Sequence, residues 1–300
     1  MTDAARIQRR PALTRAVVEE RVLGVLRWIA IGLFLVATIF PFLYMVMLSL
    51  RSLERVARDP GALIPPLEDL TFDAYPDALR PVAEGGQGFI LFIANSAIVA
   101  VLAVVISIGL AVPGAYAISR LRFGGRRHVS VLFLSIYLFP AILLAIPLFV
   151  FFSRLGLRGN LVGLLLVYAA TAIPITIHML RSYFETIPEG LEEAAQVEGC
   201  TRLGVIRHIT LPLATPAIMS SGLFVFMVAW NEFLFALLFL VDSRERWTVS
   251  LALSQLAGSI EVPTTVLMAG AVILTLPIVV LFFVTERYLV GGLTAGAEKG

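Results

Sequence analysis

Apolar residues in this chain fall into six long runs separated by shorter polar stretches. The runs are Trp28 to Leu50, most of Phe89 to Ser119, the stretch between His128 and Arg154, Leu161 to Leu180, Ala217 to Val241, and about Thr264 to Val284. A helix rises ~1.5 Å per residue, so ~20 apolar residues cross the ~30 Å hydrocarbon core of a bilayer. The pattern therefore predicts an all-α polytopic membrane protein with six transmembrane helices. Pro41, Pro113, Pro140, Pro147, Pro174 and Pro277 lie inside or near these runs. Membrane helices tolerate proline when neighbours or water satisfy the freed carbonyls, so kinks are expected.

Composition agrees with that reading. Of 300 residues, 59% are apolar and 15% charged, against ~45–50% apolar in soluble globular chains, and the mean hydropathy is +0.92. Too few charges remain to solvate a globular surface or to meet the phosphates of a nucleic acid, which excludes a soluble enzyme, a disordered chain and a nucleic-acid binder. The single Cys200 excludes an internal disulfide, and His128, His178 and His208 lie in separate segments, so no metal site is expected. Nor do Ser, His and Asp cluster as a catalytic triad would, and no catalytic residue is assigned.

The net charge is only +2, so the placement of the basic residues carries the information. Six spans put both termini on one side. That side holds 15 Lys and Arg, in the N-terminal tail and the 120–128, 181–216 and C-terminal segments, against 8 on the other. By the positive-inside rule the termini are cytoplasmic. The first apolar run, 23 residues long after six arginines, exceeds the ~7–15 residues of a signal-peptide core, so it is expected to stay as an anchor. The organisation read from the sequence is a cytoplasmic tail over 1–27, a six-span domain over 28–288 with a cytoplasmic loop at 181–216, and a cytoplasmic tail over 289–300. Residues 51–88, with seven acids and five prolines, read as an extracytoplasmic connector.

The 181–216 loop is long, polar and helix-forming. Pro188 suits a first helical turn, Glu189, Glu192 and Glu193 suit its positive end, and Gly199 can end the helix in a left-handed conformation. Thr201 can cap a second helix that runs to Arg207 and His208 before Pro212 stops it. Leu191, Ala194, Ala195 and Glu198 share one face of the first helix. From the residues alone, this helical hairpin either covers the end of the bundle or docks a partner.

Its spacing resembles a known motif. Glu193-Ala194-Ala195, Gly199 and Ile209-Thr210-Leu211-Pro212 are similar to the Glu-Ala-Ala, Gly, Ile-x-Leu-Pro pattern (the EAA motif) of binding-protein-dependent ABC importer permeases. The resemblance implies that Glu193, Ala194, Ala195, Glu198, Gly199, Ile209, Leu211 and Pro212 form a coupling element that enters a cleft on a separate ATPase. Asn95-Ser96, the run Ala115 to Phe123, Ile187-Pro188, Trp230-Asn231-Glu232-Phe233 and the ending Gly291 to Gly300 resemble the carbohydrate branch, of maltose-permease type. That branch implies a tail whose Thr294, Gly296, Lys299 and Gly300 reach the ATPase. It further implies a second permease subunit, two ATPase subunits carrying ATP and Mg, an extracytoplasmic sugar-binding protein, and no cofactor on this chain. The chain holds no Gly-x-x-x-x-Gly-Lys-Ser/Thr loop, so energy must come from a partner.

Glu232 is the one acid within a span, and an ionised carboxylate at mid-bilayer costs ~2.5–3.5 kcal/mol. Asn231 and Glu232 either border the substrate pathway or a subunit interface, or serve as a local cap or interhelical hydrogen bond. Asn95 could bond sugar hydroxyls or hold helices together. Trp230 could stack on a sugar or belong to an aromatic belt. The alternative functional class is an ion-gradient-driven secondary transporter or channel, for which a single acid within the apolar runs is thin provision. Maltose, trehalose, another oligosaccharide and glycerol phosphate all remain open as substrate.

Overall fold

The computed structural model describes residues 15–59, 61–62 and 66–297. Among them the chain is helical, with one isolated bridge between Arg51 and Leu70. α1 (Arg15–Ser49) is followed by the short α2 (Leu53–Arg58) and α3 (Ala74–Leu79). Next come α4 (Phe89–Arg120), α5 (Arg126–Leu138), α6 (Ala141–Arg154) and α7 (Leu161–Phe184). A hairpin of α8 (Glu189–Val197), α9 (Arg202–Val205) and α10 (Leu211–Leu213) precedes α11 (Thr215–Asn231), α12 (Leu234–Leu240), α13 (Val249–Ala257) and α14 (Thr264–Ala297).

Four helices are long and apolar enough to cross a membrane by themselves, over Glu19–Ser49, Phe89–Arg120, Leu161–Phe184 and Thr264–Glu286. The count reaches six if each of two bent helix pairs is one span. The third apolar run is one such pair, with α5 and α6 meeting at 93° around Phe139-Pro140. Proline removes a donor there and steers Phe139 out of the helical region. Pro41, Pro113, Pro147, Pro174 and Pro277 remain inside continuous helices. The fifth run is interrupted where no proline stands, at Glu232-Phe233, which the apolar pattern did not predict.

The bundle is built on α4 and α7, with α11 packed across both and α14 against α11 and α1. Ala100, Ala103, Ser107, Ala111 and Ala115 form a fully buried stripe along α4. In lipid there is no hydrophobic drive between helices, so small residues that let backbones approach closely decide which faces meet. The opposite side of α4 leaves Val101, Val105 and Leu110 more than half exposed, and Leu33, Phe34 and Val36 of α1 stand out further still. These are surfaces for lipid or protein rather than water.

The 51–88 segment has more structure than a connector needs, but no core of its own. Ala74 and Ala78 bury into a cluster with Phe89, Phe92, Val249, Leu256 and Val266, so the segment is a lid on one end of the bundle. Arg51 holds it from within, donating to the carbonyls of Ala62 and Asp59 at 3.0 Å each. Gly270 is needed where α14 crosses the start of α4, because a Cβ there would lie 2.5 Å from the Phe89 ring.

Candidate functional site

The hairpin follows its sequence cues closely at the turn. Pro188 precedes α8, whose first turn carries Glu189 and Glu192. Gly199 has φ +91°, the left-handed conformation expected. The amides of Cys200 and Gly199 reach back to the carbonyls of Ala195 and Gln196 at 3.0 Å each, the bonding of a Schellman cap. Thr201 then caps α9, its side chain accepting from the Gly204 amide at 3.2 Å. The second leg departs from expectation. After α9 the chain widens into one π-helical turn over Ile206–Thr210, Pro212 lies inside α10, and the bend of 75° follows Leu213. A wide turn already leaves carbonyls short of partners, so the missing proline N–H costs little there.

Residue by residue, the proposed docking face divides. Leu191, Glu193, Ala194, Glu198 and Gly199 are exposed, whereas Ala195 is buried. Ile209 and Leu211 are half-buried and Pro212 is exposed. The tip presents Val197 and Leu203, exposed by 88% and 74%, and Leu191 near the start of α8 is 49% exposed. An apolar tip on a polar hairpin is the chemistry of a protein contact rather than of a solvated loop.

The base of the hairpin holds residues that the motif did not single out. Glu192 is 4% exposed. Its Oε1 accepts from Arg120 Nε at 3.1 Å and from the Thr210 hydroxyl at 3.1 Å, and its Oε2 accepts from the Tyr116 hydroxyl at 3.2 Å. Arg120 also donates to the Ile187 carbonyl at 2.7 Å and stands 3.9 Å from Glu189. Both charges of the central pair are buried, so removing one partner alone costs ~3–5 kcal/mol. The signal for Glu192 was present as a helix-start acid, but its partner lies on another helix and spacing along α8 does not reveal it.

At the level of the α11–α12 break, Glu232 is a helix cap. Its carboxylate accepts from the amides of Phe235 at 2.8 Å and Ala236 at 3.1 Å, and from the Tyr168 hydroxyl of α7 at 2.6 Å. The Ser250 hydroxyl donates to its carbonyl at 2.6 Å. Glu232 thus satisfies a helix start that the break exposes. Glu232 and Tyr168 also line a cavity of about 470 Å³, together with Tyr137, Phe139, Thr171 and Phe224. The cavity lies between both helix breaks.

The other candidate pathway residues are spread out. Trp230 is 1% exposed, stacks on Phe226 with centroids 5.3 Å apart, and donates its indole N–H to the Leu274 carbonyl at 2.9 Å. Asn231 is exposed and donates to the Met227 carbonyl of its own helix at 2.9 Å. Asn95 is buried, its amide donating to the carbonyls of Glu245 and Trp247 at 2.9 and 3.0 Å, while Ser96 accepts from the Val249 amide at 2.8 Å. Asn95 and Ser96 therefore hold the segment before α13 onto α4. In the C-terminal tail, Thr294 and Gly296 fall in the last turns of α14, and Lys299 and Gly300 lie outside the described residues. Among the described residues no three His, Cys, Asp or Glu side chains gather as metal ligands would.

A bundle of apolar helices, with breaks at Phe139-Pro140 and Glu232-Phe233 flanking a partly open cavity and with a polar hairpin carrying an apolar tip, defines a multi-pass membrane transport protein. The chain belongs to the family described as binding-protein-dependent transport system inner membrane component, which it matches over residues 111–294. It is 36% identical over 270 residues to the inner membrane ABC transporter permease protein YcjP of Escherichia coli, covering 90% of this chain and 94% of that one. It is 38% identical over 275 residues to the trehalose/maltose transport system permease protein MalG of Thermococcus litoralis, covering 90% and 95%. In structure it is similar to a chain of a bacterial ABC transporter involved in import of the acidic polysaccharide alginate, with a TM-score of 0.78 at 27% identity, covering 93% of this chain and 99% of that one.

Proposed function

We propose that this chain is one of two permease subunits of an ATP-driven sugar importer, and that its hairpin couples the bundle to a separate ATPase. The observation that carries the reading is the hairpin itself, whose apolar tip of Val197 and Leu203 stands free on a base fixed by buried ionic bonds. In this reading the hairpin side is cytoplasmic, which agrees with its share of the arginines. ATP and Mg bind the ATPase subunits, and ATP-driven closure of those subunits pushes the hairpins so that the bundle opens to the other side. A binding protein delivers the sugar there. The family description and the trehalose/maltose and alginate transport of its relatives support a saccharide as cargo. The cavity beside Tyr168 and Glu232 is a candidate stretch of the pathway, with Tyr137 and Phe224 as aromatic faces.

Reconstitution tests this. The complete complex in proteoliposomes, supplied with its binding protein loaded with maltose or trehalose, is expected to accumulate sugar only with internal ATP. Glu193→Lys and Gly199→Asp should abolish that uptake and weaken co-purification of the ATPase. Uptake that follows an imposed ion gradient without ATP, or hairpin variants that behave as wild type, would overturn the proposal.

A further inference from the structure

The buried bonds at the base of the hairpin join more than two elements. Glu192 belongs to the descending leg, Thr210 to the ascending leg, and Tyr116 and Arg120 to the end of α4, and all meet at one carboxylate. Arg120 spends its three nitrogens on three points of the descending leg: Nε on Glu192, one terminal nitrogen on the Ile187 carbonyl, and the other near Glu189. Its side chain is 8% exposed and that of Glu192 5%, so water does not compete for these bonds. Apolar packing continues the same joint, with Ile187 and Phe184 buried against Ala115, Ile118 and Ala214. By contrast, residues 193–203 beyond Glu192 are exposed except for the buried Ala195.

We infer that Arg120 and Glu192 are positioning residues that make the hairpin and α4 move as one rigid body. The inference rests on the proposal that the tip docks on an ATPase. A single bond between two elements leaves a hinge, whereas a carboxylate on the descending leg that takes two donors from α4 and one from the ascending leg fixes both legs of the hairpin at once. A guanidinium fork is suited to this because its donors have fixed directions. A displacement imposed at the tip is then delivered to α4 and, through the small-residue stripe from Ala100 to Ala115, to its tight contact with α7. Without the joint, the tip would still dock, but its motion would be absorbed at Ile187-Pro188 and Thr210-Leu211.

The test measures the joint directly and needs no knowledge of the sugar. In the full complex, spin labels are placed on the natural Cys200 at the tip and on Ile90→Cys at the far, exposed end of α4. Retention of ATP hydrolysis by the labelled complex is checked first. The distance between the labels is measured without nucleotide and with ATP, Mg and vanadate. In the otherwise wild-type chain, one narrow distribution should appear and stay in place in both states. Arg120→Ala and Glu192→Gln should at least double its width, or shift it with nucleotide, while ATPase subunits remain bound in wild-type stoichiometry. Tyr116→Phe, which removes one donor and keeps the ring, should broaden it less, and it decides the matter if Arg120→Ala fails to assemble. Distributions as narrow in these variants as in wild type would overturn the joint, as would a wild-type distance that shifts with nucleotide. Val197→Asp and Leu203→Asp separate the two ideas. If these tip variants still bind the ATPase as wild type does, the docking reading fails whatever the label distances show.

Discussion

Replacing Glu232 by alanine isolates the role of the one carboxylate inside an apolar run. The substitution leaves the Phe235 and Ala236 amides and the Tyr168 hydroxyl without their acceptor. Loss of a capping side chain costs ~0.5–2 kcal/mol, and an orphaned buried hydroxyl adds ~1–3 kcal/mol. Tyr168 is 3% exposed, and Phe235 and Ala236 are buried too, so water replaces the lost acceptor poorly. A total of ~2–4 kcal/mol follows for Glu232→Ala. Glu232→Gln keeps an acceptor oxygen and should cost only ~1 kcal/mol. At ~2–4 °C per kcal/mol, the alanine variant should melt roughly 4–16 °C below wild type in a thermal-unfolding assay of the detergent-purified complex. Hydrogen exchange at Phe235 and Ala236 should accelerate in parallel. A Glu232→Ala complex that melts with wild type and keeps both amides protected would refute the capping account. A Glu232→Gln complex that is stable but takes up no sugar would show a second role at the cavity.

Three other substitutions test the packing. Gly270→Ala drives a Cβ into the Phe89 ring and should destabilise by ~1–3 kcal/mol in the same melting assay, with Phe89→Leu restoring part of the loss. Gly199→Ala meets no neighbouring atom but must hold φ +91°, so a loss of ~1–2 kcal/mol is expected from the backbone alone, less for Gly199→Asn. Asn95→Leu withdraws both donors from the Glu245 and Trp247 carbonyls and should raise proteolytic nicking in the 242–248 segment at a cost of ~1–3 kcal/mol.

Most of the helical architecture was legible because a bilayer imposes a minimum length on apolar runs, and local chemistry was legible where it acts locally. Gly199 and Thr201 end and restart the hairpin through bonds to residues within four positions, so their roles could be read from spacing. The bend at Pro140 was marked by its proline, although its size of 93° was not. The break at Glu232 carried a different signal, a lone acid in an apolar run, which fits a helix cap as well as a pathway residue. Trp230 illustrates the limit: stacking on sugar and burial against Phe226 require the same aromatic residue, and only the placement of α14 decides between them. Glu192 and Arg120 are 72 positions apart. No periodicity connects them, so the base of the hairpin emerged only from the fold.

Cys200 allows the central claim, that the hairpin tip docks on a cytoplasmic ATPase, to be tested without altering the chain. It is the single cysteine in the sequence and lies exposed at the turn of the hairpin. A membrane-impermeant maleimide should label it in inside-out vesicles lacking the ATPase and not in right-side-out vesicles. Adding the cognate ATPase subunits should slow that labelling at least tenfold, and stripping them should restore it. Labelling from the outer side, or an equal rate with and without the ATPase, would contradict the account.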